Sequence, residues 1–160
     1  MIEYSIKFTK KEIVTILSCC NQAIINSEES LREYGEYPLN PNNITLKYSI
    51  DYIWNLKTKI KSQIIDQFAK SPDGSVTITM CTYEFTKLAC CCNSTIDSDR
   101  KLLEYLGDID MIESTKETIK SILNLKYKIS CELDMQFKKA CEYSQKFVFD
   151  TIPEISDKDN

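Results

Sequence analysis

The amino-acid sequence predicts a mainly α fold: an internally duplicated β-α-α unit, with four long helices and a small two-stranded antiparallel sheet. Three observations carry that expectation. The sequence matches itself at a nearly constant offset. Each copy opens on a short run of alternating apolar and polar residues. Chain breakers are scarce, with glycine only at Gly35, Gly74 and Gly107 and four prolines in 160 residues. So few residues that interrupt a helix favour long helices over many short strands.

The offset is read residue by residue. Residues 5–35 fall on 77–107 with identities at Ile6/Ile78, Glu12/Glu84, Cys19/Cys91, Cys20/Cys92, Asn21/Asn93, Ile24/Ile96, Leu31/Leu103 and Gly35/Gly107. Residues 50–68 fall on 119–137 with identities that include Ile53/Ile122, Asn55/Asn124, Lys57/Lys126, Lys59/Lys128 and Gln67/Gln136. The first offset is 72 and the second 69, so the connection inside the second copy is three residues shorter, a change that loops tolerate. We expect one domain over 1–160 built from two repeats, about 2–70 and 75–149, with a flexible polar tail at 154–160.

Each element has a local reason. Ile2, Tyr4, Ile6 and Phe8 alternate with polar residues, as do Val76, Ile78 and Met80, the period-two signature of a half-buried strand. Thr9 stands three residues before Glu12, the spacing of a capping box; the second copy keeps Glu84 but has Cys81 in the threonine position, so its cap is weaker or moves to Thr82. A period of 3.6 follows. Ile13, Ile16, Leu17, Cys20, Ile24 and Leu31 form one stripe, matched by Phe85, Leu88, Ala89, Cys92, Ile96 and Leu103. Gly35 and Gly107 are placed to end these helices in the left-handed conformation. The second helices carry Ile50, Ile53, Ile60, Ile64 and Phe68, matched by Ile119, Ile122, Ile129, Leu133 and Phe137. The first of them stops at the turn Ser71-Pro72-Asp73-Gly74; the other is free to run on to Pro153. Related halves of this kind pair their strands antiparallel and pack the four helices as a bundle.

Composition narrows the function. With 42% hydrophobic and 28% charged residues the chain is not of the disordered class. Its net charge of −4 lacks the basic excess with which most nucleic-acid binders neutralise phosphate, so a nucleic-acid partner is disfavoured. No apolar run is long enough to cross a bilayer and the first residues do not read as a signal peptide, so we expect a cytoplasmic protein with no membrane partner. The eight cysteines include the adjacent runs Cys19-Cys20 and Cys90-Cys91-Cys92, whose side chains diverge on a helix. They are read as reduced thiols, mostly small buried hydrophobes, without the spacing of a zinc site.

No catalytic constellation is visible. The absence of histidine removes the commonest general base and zinc ligand, and there is no Gly-rich phosphate loop. The pairs Asp97/Asp99 and Asp108/Asp110 read as solvated charge, and Lys57, Lys59, Lys61, Lys126 and Lys128 as a solvated basic edge. Catalytic residues, metal and cofactor are therefore expected to be none. Two sets of residues remain as candidates. Asn21, Asn93, Asn55 and Asn124 recur in both copies beside the apolar stripes and suggest either buried amides that fix helix register or a small-ligand pocket between the repeats. Glu28, Glu29, Glu33 and Glu36 form an acidic cluster at the far end of the first helix, with no counterpart in the second copy, where Arg100 and Lys101 align with Glu28 and Glu29. The functional expectation is a non-enzymatic binding protein, a small acidic inhibitor of another protein of the immunity-protein, antitoxin or mobile-element-inhibitor type, with a basic toxin or nuclease as partner. The ligand-binding module is the alternative. Oligomeric state is not legible in the sequence.

Overall fold

The computed structural model describes residues 2–33, 41–68, 70–71 and 74–151. The tail at 154–160, Gly35 and Glu36 lie outside them. The order is β1 (Glu3–Thr9), α1 (Lys10–Glu33), α2 (Pro41–Phe68), β2 (Ser75–Cys81), α3 (Thr82–Leu103) and α4 (Ile109–Thr151). The fold is mainly helical with one two-stranded antiparallel sheet, as the sequence predicts.

The ladder runs from Glu3↔Cys81 through Ile6↔Ile78 to Thr9↔Ser75. Its central pair, Ile6 and Ile78, are themselves matched residues of the two halves. Shifting every residue by the 72-residue offset exchanges Tyr4↔Met80 with Phe8↔Val76, so the register maps onto itself. One face of the sheet, Tyr4, Ile6, Phe8, Val76, Ile78 and Met80, joins the core; the other carries Ser5 and Thr79, whose hydroxyls are 2.8 Å apart. Ile2 precedes the strand and is exposed, so the alternation begins to count only at Tyr4.

A two-stranded sheet has two open edges, each a row of unpaired backbone groups. Here the returning helices close them with side-chain amides. Gln67 accepts from the Thr77 N–H at 2.8 Å and donates to the Thr77 carbonyl at 2.8 Å. Gln63 does the same for Thr79 at 2.7 and 3.0 Å. On the opposite edge Gln136, the match of Gln67, bonds the Ser5 N–H and carbonyl at 3.2 and 2.8 Å.

Contacts between the halves set the direction of the helices. Cys19 meets Cys92, Cys20 meets Cys91, and Asn26 meets Ser98, so both helices advance together and α1 and α3 run side by side in the same direction. Along α2 and α3 the contacts run in opposite senses, Ser49 with Lys87 and Lys59 with Glu84, so α2 returns toward the sheet. Each returning helix crosses to the start of the other half's first helix: Lys59 bonds Glu84 at 2.8 Å and its match Lys128 bonds Glu12 at 2.9 Å. The core is one cluster filled from all six elements, with Ile6, Cys20, Ile60, Met80, Phe85, Leu88 and Cys92 fully enclosed.

Local signals hold with three corrections. The Thr9–Glu12 capping box forms, with Thr9 N–H to Glu12 at 2.7 Å and Glu12 N–H to Thr9 Oγ1 at 3.2 Å. In the second half the cap stays at Cys81 and does not move to Thr82: Cys81 is extended, and its N–H donates to Glu84 at 2.9 Å. Gly107 does not cap α3. The helix ends at Leu103 and unwinds through right-handed turns, Glu104 N–H to Lys101 and Tyr105 N–H to Leu102, and among described glycines only Gly74 has positive φ. Phe137, expected in the core, is mostly exposed, whereas its match Phe68 packs against the core.

Candidate functional site

The residues that set the α1–α3 seam change character along its length. Nearest the sheet the seam holds apolar side chains and thiols. One turn further on, Gln22 and Ser94 begin a polar stretch, and as the helices continue, a groove of about 480 Å³ opens between them. Gln22, Asn26, Glu29, Ser30 and Glu33 of α1 form one wall, and Ser94, Asp97, Ser98 and Lys101 of α3 the other. Three pairs across it are matched residues of the two halves: Gln22/Ser94, Asn26/Ser98 and Glu29/Lys101.

A chain of hydrogen bonds makes its floor. Gln22 Nε2 donates to Asn26 Oδ1 at 2.9 Å, and Asn26 Nδ2 donates to Ser94 Oγ and Ser98 Oγ, both at 2.8 Å. With its amide committed on both ends, Asn26 ties the two halves together, and the carboxylates of Glu29, Glu33 and Asp97 line the groove with the ammonium of Lys101; Asp97 also pairs with Arg100 at 3.9 Å. Two of the four glutamates singled out in the sequence therefore line the groove. Glu28 lies on α1 outside its lining, and Glu36 falls outside the described residues. The carboxyl of Asp99 is pushed above its ordinary value by burial, and its Oδ2 has no hydrogen-bond partner among the described residues. This corrects its reading as solvated charge. Asp108 instead caps α4, accepting from the N–H groups of Asp110 and Met111 at 2.9 and 3.2 Å.

The recurring asparagines are not brought together. All four are exposed. Asn21 accepts a hydrogen bond from Lys57, and Asn93 accepts the equivalent bond from Lys126. They serve the packing of each second helix on its own first helix. Asn124 lines a cleft of about 190 Å³, where it lies with Thr9, Lys11, Thr15 and Ser121 between α1 and α4. In the matching place between α3 and α2 the space is filled: Tyr52 and Tyr83 stack edge to face at 5.3 Å and Lys87 donates to Ser49 at 2.8 Å.

The basic edge is largely absorbed as well. Lys57 is buried, 8% exposed, with its ammonium 4.2 Å from the centre of the Trp54 ring, an arrangement that the ring quadrupole favours. Lys59 and Lys128 are held by the glutamates named above. Lysine spacing alone did not reveal this. The signal that pairs them is the cross-match of Lys59/Lys128 with Glu84/Glu12 between copies.

Among the described residues no group of three or more His, Cys, Asp or Glu side chains is arranged to hold a metal ion, and no helix is long and apolar enough to cross a membrane. No family model, curated protein or solved structure matches the chain.

Proposed function

We propose that the chain is a non-enzymatic binding protein, an acidic inhibitor that docks a basic protein on the far end of the α1–α3 seam. The observation that carries the reading is the groove itself, in which Glu29, Glu33 and Asp97 surround a polar floor fixed by Asn26. Such a groove suits a lysine or arginine side chain of the partner, which would exchange water for carboxylates and hydroxyl acceptors. Opposite charge on the two surfaces steers encounter and raises the association rate. The asymmetry between the halves supports a use for the acidic wall. The floor residues Asn26 and Ser98 are polar in both halves, whereas Glu29 and Lys101 differ in sign. A cytoplasmic setting fits the reduced thiols.

The test is capture of partners from the native host by the wild-type chain and by the double variant Glu29→Lys/Glu33→Lys. A basic protein retained by the first, released by salt and not retained by the second supports the reading. A partner retained equally by both overturns the assignment of the groove.

A second reading rests on the cleft at Asn124. It is open where the matching place is plugged by Tyr52 and Tyr83, and its hydroxyls and amide suit a small polar ligand. A small molecule carried through purification and seen by native mass spectrometry, lost in Asn124→Leu, would favour it.

A further inference from the structure

Five of the eight cysteines are buried, and four of them meet at one place. Cys19 and Cys20 of α1 face Cys92 and Cys91 of α3, each no more than 1% exposed. The contacts are crossed. Cys19 meets Cys92 and Cys20 meets Cys91, while the Thr95 hydroxyl donates to the Cys91 carbonyl at 3.1 Å. The offset between the copies exchanges these two pairs, so the seam presents the same thiol–thiol contact twice. Within each run the neighbours sit on one helix and diverge, so the facing partners are those across the seam. All are free thiols in the structure.

We propose that the seam is a site of reversible oxidation by hydrogen peroxide, which joins α1 to α3 through a disulfide between Cys19 and Cys92 or its matched pair Cys20 and Cys91. The chemistry balances. The sulfur of Cys19 attacks one peroxide oxygen, the O–O bond breaks, and the Cys19 sulfenic acid forms with release of one water. The sulfur of Cys92 then displaces the sulfenic hydroxyl as a second water, and the S–S bond forms. Two thiols lose two electrons and two protons, and the peroxide gains both. A dithiol reductant reverses the step by exchange. Hydrogen bonding holds Cys19 and Cys91 below the ordinary thiol range, against burial, while their partners Cys92 and Cys20 are pushed up. The polar groove begins one turn beyond, at Gln22 and Ser94. A bond here fixes the walls of that groove at one spacing. The proposal stands independently of any partner.

The experiment starts from Cys90→Ser/Cys131→Ser/Cys141→Ser, which removes the exposed thiols and leaves five. The folded protein is treated with hydrogen peroxide, quenched, alkylated in denaturant and digested. The expected result is loss of two alkylatable thiols and an α1 peptide joined to an α3 peptide through one of the two named pairs, two hydrogens lighter and released by dithiothreitol. A second readout needs no change in the core. The oxidised protein should unfold at higher urea than the reduced one, because the bond closes the long loop between the two helices. Five thiols still alkylatable, sulfinic acid as the only product, or a disulfide between any other pair overturns the proposal. So does an unfolding midpoint that falls on oxidation.

Discussion

Placing aspartate at Ile24 or at Ile96 tests the reading of α1 and α3 as matched core helices. The two residues are 4% and 3% exposed and occupy equivalent places in the two halves. Truncating an isoleucine in such a position costs about 2–5 kcal/mol through lost burial and the cavity left behind. Aspartate adds a charge penalty. If the carboxyl stays protonated to avoid ionising in the core, holding it neutral at pH 7 against a solution pKa near 3.9 adds up to about 4 kcal/mol. The sum is comparable to the whole stability of a domain this size, about 5–15 kcal/mol. Part of that loss is pH-dependent with a definite sign: the folded-state pKa of the new carboxyl is raised, so stability returns as pH falls and is lost as pH rises. Urea unfolding followed by far-ultraviolet circular dichroism at pH 7 and pH 5 is the assay. Both variants should be largely unfolded at pH 7, lose comparable amounts, and recover in part at pH 5. Midpoints near wild type would show that the stripe is not core. One variant stable and the other unfolded would break the equivalence of the two helices.

Three further outcomes follow from the contacts. The carboxyls of Glu12 and Glu84 lie below their ordinary range, because bonds from Lys128 and Lys59 and from the capped backbone N–H groups outweigh the opposing effect of burial; their stabilisation is present above the unfolded carboxylate pKa and is lost as pH falls through the folded values, so Glu12→Gln/Glu84→Gln should flatten the acid limb of a stability–pH profile. Removing the Gln67 amide deletes two bonds to the edge of β2, and Gln67→Ala should cost about 1–2 kcal/mol by thermal unfolding, more than Gln136→Ala, whose bond from Ser5 is longer. Burial pushes the Asp99 carboxyl up, and its match Ser27 bonds back to the Ala23 carbonyl at 2.8 Å; Asp99→Ser should therefore raise the melting temperature at pH 7, and the gain should shrink as pH falls through the raised Asp99 pKa.

Much of the fold is legible because its signals are local. The alternation from Tyr4 to Phe8 gives a strand, and Thr9 with Glu12 gives a helix start at the next residue. The matching halves give the element order. What periodicity does not give is the neighbour. The α1 stripe through Ile13, Ile16, Cys20 and Ile24 was legible, but Cys19, Ala23 and Asn26 widen the covered arc because α1 packs on both α2 and α3. Asn21, beside that stripe in sequence, therefore falls on the outer flank, where Lys57 reaches it. Lys57 itself is covered by its own stem and the Trp54 ring, which no hydropathy pattern marks. Gly107 failed as a cap because α3 unwinds through turns that ordinary residues make. The acidic cluster was visible as composition, yet only the parallel course of α1 and α3 turns Glu29 and Glu33, together with Asp97, toward one groove.

The association rate of the isolated partner with four forms of the chain, at low and at physiological salt, tests the acidic groove most directly. The forms are wild type, Glu29→Lys/Glu33→Lys, Asp97→Lys, and Asp134→Lys/Glu142→Lys, a control that changes net charge as much as the first double variant but at exposed positions on α4. Steering by a local charged site falls with both charge reversal and ionic strength. The account predicts a rate at least about tenfold slower for Glu29→Lys/Glu33→Lys at low salt, an intermediate loss for Asp97→Lys, a weaker salt dependence in both, and a rate near wild type for the control. Equal slowing in the control, or an unchanged rate when Glu29 and Glu33 are reversed, would contradict it.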